Sequence, residues 1–109
     1  MSDEQNGNKI NVFESRSFEK HMNKLSEAQC EVVEDEIDKI IENPELGTRK
    51  KGDLSHLWVH KFKMDNQEVL LGYSWVEGKL ELYLLNIAPH ENFYTALKKR
   101  RKADLKIIG

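Results

Sequence analysis

Three strand-like runs, parted by turns too short for anything but hairpins, constrain this chain more than any other feature. Leu57–Met64, Glu68–Val76 and Lys79–Ile87 are rich in β-branched, aromatic and leucine residues. Only Asp65-Asn66-Gln67 and Glu77-Gly78 separate them. Turns of that length and composition join neighbouring antiparallel strands, so the three runs form a meander. The hydrophobic density of Leu80–Leu85 suits an interior strand.

The upstream half reads differently. Ile10–Phe13 is short and apolar and predicts a first strand. Ser17 offers a cap for a helix carrying Phe18, Met22 and Leu25 at steps of four and three. Ser26 and Gln29 form a capping box, in which each side chain bonds the other's backbone N–H. Cys30, Val33, Ile37, Ile40 and Ile41 then mark one face of a second helix, and Glu31, Glu34, Asp35, Glu36 and Asp38 the other. Pro44 stops it, because the residue before proline avoids helical geometry. Leu46–Ser55 reads as a basic loop. A last helix starts at His90/Glu91, with Phe93, Ala96 and Leu97 toward the core. The order is β-α-α-β-β-β-α. This is an α+β fold: a small antiparallel-rich sheet, an N-terminal helical pair on one face and a C-terminal helix.

Length and composition bound the class. The chain has 109 residues, enough for one domain over 10–109 after a polar lead-in, 1–9, that reads as disordered. The lone Cys30 excludes an internal disulfide and points to a reducing compartment. No apolar stretch reaches the roughly 20 residues that span a bilayer, and 1–9 lacks the apolar core of a signal peptide. The expectation is a cytoplasmic protein with no membrane partner. The net charge of −2 hides an asymmetry. Residues 1–45 hold 5 Lys/Arg against 12 Asp/Glu, and residues 46–109 hold 12 against 7. A segregated basic half is either the footprint of a polyanion or an uneven solubilising surface.

Strand parity turns that asymmetry into candidate residues. Trp58, His60, Phe62 and Met64 share one face, the helix-covered one, and Val59, Lys61 and Lys63 the other. On the next strand Val69, Leu71, Tyr73 and Trp75 alternate with Leu70, Gly72, Ser74 and Val76. Lys61 and Lys63 therefore project side by side, about 6–7 Å apart, onto a sheet face expected to be open. Such a pair holds phosphates or stabilises a phosphorane-like transition state, or else it is an ordinary solvated strand face. His90, just past the third strand, can exchange a proton near neutrality in 2′-OH transesterification, or can cap a helix. Tyr94 follows one turn later and can stack on a base or sit at the core edge, and Tyr73 carries the same two readings. Arg49, Lys50 and Lys51, and the basic tail Lys98, Lys99, Arg100, Arg101 and Lys102, are candidate contacts to an RNA backbone or solvated charge. His56 is a weaker candidate, and His60 a structural one. One cysteine and four scattered histidines give no zinc spacing. No P-loop, Gly-x-Gly-x-x-Gly or Gly-x-Ser-x-Gly occurs, so no metal or cofactor is expected.

The segments FESRSFEKHMNKL, IDKIIENPELGTRKKGDL, VHKFK and APHENFYTALKK, in this order and spacing, carry a family resemblance. The chain resembles RelE/ParE-type toxins of bacterial type II toxin–antitoxin systems, the ParE-like branch in particular. The resemblance implies a cognate antitoxin that wraps the toxin with an extended or helical segment, and the expectation is that it covers the open sheet face or displaces the basic tail Lys98–Lys106. RelE-like members cut mRNA in the ribosomal A site by metal-free 2′-OH attack, and ParE-like members inhibit DNA gyrase. Residue by residue, Lys61 and Lys63 match the paired strand lysines of the RelE-like nucleases. Tyr94 matches the aromatic near the start of the last helix, and His90 a position held by Arg or His in other branches. RelE-like nucleases also place an arginine on the following strand, and here that position falls at about Leu70. The expectation is a toxin that acts as a ribosome-dependent mRNA endonuclease. Gyrase inhibition without cleavage, or a relative that only binds antitoxin, are the alternatives.

Overall fold

The computed structural model describes residues 9–89, 93–94 and 101–108, with the side chains of 53 and 101 excepted. Strand β1 (Asn11–Glu14) leads into α1 (Arg16–Asn23) and α2 (Glu27–Glu42). Then come β2 (Thr48–Arg49), β3 (Trp58–Met64), β4 (Gln67–Val76), β5 (Glu81–Pro89) and α3 (Arg101–Ile108). The five strands form one sheet in the order β1-β5-β4-β3-β2, with β1 parallel to β5 and the other pairs antiparallel. The meander of β3, β4 and β5 is as expected from the two short turns. Asp65 and Asn66 both take positive φ, 52° and 65°, the mark of a type I′ hairpin. The second turn is longer than Glu77-Gly78. Glu77–Lys79 forms a 3-10 turn, and Leu80, at φ 55°, closes it in the left-handed region.

Three local readings are corrected. The cap of α1 is Ser15, whose Oγ accepts the Phe18 N–H at 3.0 Å, and Ser17 lies buried inside the first turn. Ser15 also donates to the Leu85 carbonyl at 2.7 Å, so one hydroxyl starts the helix and ties it to β5. The loop 46–55 contains β2, whose pairing of Thr48 with Val59 and Arg49 with Trp58 is too short for a periodic signal. Glu36, assigned to the outer acidic face of α2, instead turns toward β3. The capping box of Ser26 and Gln29 forms as read, and the helix ends at Glu42, just ahead of Pro44.

The sheet carries two cores. On the helical side Phe18, Val33 and Ile40 pack on Val69, Leu71, Tyr73, Leu82 and Leu84. The other face is not open, contrary to expectation. Val59, Leu70, Leu85 and Ala88 are buried there with Phe93, and Tyr94 and Ile108 pack against them. A strand face that is mostly Leu, Val and Ala leaves the chain no option but to cover it. A bulge on β5 shifts the register, so that Tyr73 faces Leu84 and Gly72 faces Asn86. This puts both Leu85 and Asn86 on the second face. Among the described residues no helix is long and apolar enough to cross a membrane.

Candidate functional site

Lys61 and Lys63 lie on β3 and point to the second face, both exposed, as parity requires. Beyond Val59 the outer edge of β3 has no strand partner among the described residues, because β2 reaches only Trp58 and Val59. The two ammonium groups thus stand at an open sheet edge beside an apolar floor. Lysines at an edge also hinder edge-to-edge association, so their placement serves the fold as well. In register, Lys61 faces Leu70 and Lys63 faces Glu68. Leu70 is 0% exposed. The position where a nuclease would carry a guanidinium is a buried part of the second core.

Tyr94 reaches the same face. It packs edge-on against Phe93, with ring centroids 5.1 Å apart. The cation over its ring is Lys50, whose Nζ lies 5.2 Å from the centroid. That contact draws the basic segment after β2 to the C-terminal aromatic, and the sequence separation of the two hid it. Lys50 is anchored by its own N–H, which donates to the Leu57 carbonyl at 2.9 Å. Arg49 spreads over Trp58, its Cζ 5.8 Å from the ring, and Lys51 is exposed. Lys50 and Tyr94 form one group, Lys61 and Lys63 a second, and both border the second core. His90, Lys98, Lys99, Arg100 and the side chain of Arg101 lie outside the described residues.

Tyr73 does not belong to this surface, and its reading as an RNA contact is corrected. It is fully buried on the helical side. Its hydroxyl donates to the Pro44 carbonyl at 2.7 Å and accepts the Gly47 N–H at 2.9 Å. Burial raises its pKa above the ordinary tyrosine value, and the Gly47 N–H opposes that shift. The ring pins the chain leaving α2, and Gly47 is needed there: a Cβ would sit 2.7 Å from the Val59 carbonyl oxygen. His60 is structural, as expected. Its Nε2 lies 2.7 Å from Glu36 Oε1, which clasps β3 to α2. Burial pushes the Glu36 carboxyl up, but the hydrogen bonds of His60 and Lys39, with their charges, hold it below the usual value. His56 gives its carbonyl to the Ser74 hydroxyl at 2.6 Å.

Asn86 was not foreseen. It is fully buried on the second face, opposite Gly72, and among the described residues neither its Nδ2 nor its Oδ1 has a hydrogen-bond partner. Only the β5 bulge puts it there, and a bulge leaves no mark in a periodic pattern.

The comparisons agree with this architecture. Among curated proteins none matches the chain in sequence. An arginine double mutant of E. coli toxin RelE in the free state superposes with a TM-score of 0.66 at 16% identity, covering 84% of this chain and 96% of that one. The intact E. coli RelBE toxin–antitoxin complex gives 0.60 at 15% identity, covering 73% and 95%. The solution structure of the conserved hypothetical protein HP0892 from Helicobacter pylori gives 0.50 at 18%, covering 76% and 97%. At these identities the likeness is one of fold. The sequence family described as ParE-like toxin of type II bacterial toxin–antitoxin system matches residues 12–98, from β1 to beyond Tyr94. With four-fifths of its length inside that match, the chain belongs to the ParE-like toxins of type II bacterial toxin–antitoxin systems.

Proposed function

We propose that this toxin is a metal-independent, ribosome-dependent mRNA endonuclease that acts in the cytoplasm and is held inactive by its cognate antitoxin. The observation that carries the reading is the exposed pair Lys61 and Lys63 at the open edge of β3, on the face that also bears Tyr94 and Lys50. Lys61 and Lys63 bind the scissile phosphate and offset the charge that builds on it as the neighbouring 2′-OH attacks. His90 serves as general acid or base. Tyr94 stacks on or orients the substrate, and Arg49, Lys50, Lys51 and the basic residues Lys98, Lys99, Arg100 and Arg101 bind the RNA backbone. The solved RelE structures include complexes with the antitoxin RelB, which supports an antitoxin partner here.

Primer extension on cellular mRNA after induced expression tests this. Cleavage and growth arrest are expected with the wild type and are lost in Lys61→Ala/Lys63→Ala and in His90→Ala. Arrest and cleavage that survive both variants overturn the reading.

A second reading is favoured by one observation, the buried Leu70 opposite Lys61. With no guanidinium on β4 there, a principal stabiliser of transition-state charge is missing. The toxin would then inhibit DNA gyrase by docking, without cutting RNA. A supercoiling assay with purified toxin separates the two, since a nuclease leaves gyrase unaffected. Normal growth on strong expression without antitoxin would instead mark a relative that retains antitoxin binding alone.

A further inference from the structure

A trough with an apolar floor runs between the start of α2 and the β3–β4 hairpin, from the helical side of the sheet to the outer edge of β3, where Lys63 borders it. One hollow of about 220 Å³ has Leu25, Met64, Val69 and Ile87 as its floor and His21 and Lys24 on its rim. A second, also about 220 Å³, lies against Ala28, Val32 and Lys63. Both are bordered by Gln29, Met64 and Asp65. Gln29 Nε2 donates to Asp65 Oδ2 at 2.7 Å, between two residues that line both hollows, with side chains that face solvent. An exposed hydrogen bond of this kind contributes only about 1 kcal/mol, so an incoming group can displace it. The two hollows are one trough crossed by a polar bridge.

Size and charge say what fits. Small-molecule sites usually run from about 300 Å³ upward, so each hollow suits an apolar side chain better than a metabolite. Lys24 borders one hollow and Lys63 the other, both exposed, while the Asp65 carboxylate is already engaged by Gln29. Carboxylates flanking the apolar anchors would meet these two ammonium groups. The acids Glu31, Glu34 and Asp35 on the exposed side of α2 would keep such a segment from sliding along the helix. On the second face, Phe93, Tyr94 and Ile108 already pack with Val59, Leu70, Leu85 and Ala88.

We propose that this trough seats an amphipathic, acidic segment of the cognate antitoxin, with apolar anchors in the two hollows and carboxylates on Lys24 and Lys63. The inference rests on the toxin–antitoxin reading and adds a place and a consequence to it. A carboxylate held on Lys63 takes that lysine away from a phosphate, so docking in the trough and silencing of the lysine pair are one event.

The test uses the full-length toxin and its full-length cognate antitoxin. Gln67→Trp fills the first hollow from an exposed position, and Lys24→Glu reverses the rim charge. Neither residue belongs to the RNA-binding surface, so both variants should arrest growth like the wild type when expressed alone. Each should weaken antitoxin affinity at least tenfold by calorimetry, with rescue of growth by co-expressed antitoxin lost, and Lys24→Arg should bind within twofold of the wild type. Affinities within twofold of the wild type for both Gln67→Trp and Lys24→Glu overturn the trough. If Gln67→Trp fails to fold, as its melting curve will tell, Lys24→Glu decides alone. A wild-type toxin that forms no complex with the antitoxin overturns the toxin–antitoxin reading itself, and the trough proposal with it.

Discussion

At position 86 the β5 bulge places a carboxamide where no solvent reaches it and no partner among the described residues meets it. A buried amide without hydrogen bonds costs about 1–3 kcal/mol in proteins. Asn86→Val has similar bulk and β-branching suited to a strand, so we expect it to raise the unfolding free energy by about 1–2 kcal/mol in urea. A fall in stability would show that the carboxamide has a role in holding the bulge. Tyr73 makes the opposite case, a buried polar group with both its valences used. Tyr73→Phe removes the bonds to Pro44 and Gly47 and should cost about 1–3 kcal/mol. RNA cleavage by the folded fraction should not change, since the ring lies on the helical side. A variant of wild-type stability that lost RNA binding would return Tyr73 to the interface.

Between elements, two contacts decide how the sheet is held and what its second face can do. The Glu36–His60 clasp joins α2 to β3 at 2.7 Å. Because the folded-state pKa of Glu36 lies below its unfolded value, the carboxylate stabilises the fold above about pH 4.5, and that contribution fades as the pH falls further. Glu36→Gln should therefore melt below the wild type at pH 6, with the gap closing under pH 4.5. A gap that is constant with pH would leave the clasp without its charge. The Leu70 position tests the second core. Leu70→Arg would set a guanidinium in a fully buried site among Val59, Leu85 and Phe93, and should cost about 3–5 kcal/mol without raising RNA cleavage. A stable variant with increased cleavage would mean that this face opens readily. These elements also show what sequence could tell. The meander, the α2 capping box and the parity that exposes Lys61 and Lys63 rest on local periodicity and turn chemistry, so they were legible. The two-residue β2, the β5 bulge, the turn of Glu36 toward His60 and the meeting of Lys50 with Tyr94 depend on pairing between distant segments. No window of sequence contains both partners. The expectation of an open face failed for a related reason: parity tells which residues share a side, and what later covers that side is tertiary.

Among the described residues, the acids of α2 and the lysine pair of β3 stand on different sides of the sheet. The exposed acids of α2, Glu31, Glu34, Asp35 and Asp38, lie on the helical side, and Lys61 and Lys63 on the other, with Lys50 over Tyr94 and Lys51 exposed beside it, while Arg49, laid over Trp58, stays on the helical side. A chain of net charge −2 gains little from long-range attraction to a polyanion, so RNA contacts have to be local. Each phosphate neutralised on single-stranded RNA adds about 0.7 to the slope of log affinity against log salt. Lys50→Gln/Lys51→Gln should therefore flatten that slope by about 1.4 for a short mRNA fragment. The unfolding free energy should fall only by what the Lys50–Tyr94 contact contributes, about 0.5–1 kcal/mol. Neutralising the α2 acids should leave the slope as it was, because those groups lie on the helical side. Were the double variant to keep the wild-type slope while the α2 variant changed it, the polyanion would be reaching the helical side, and the assignment of the two faces would have to be exchanged.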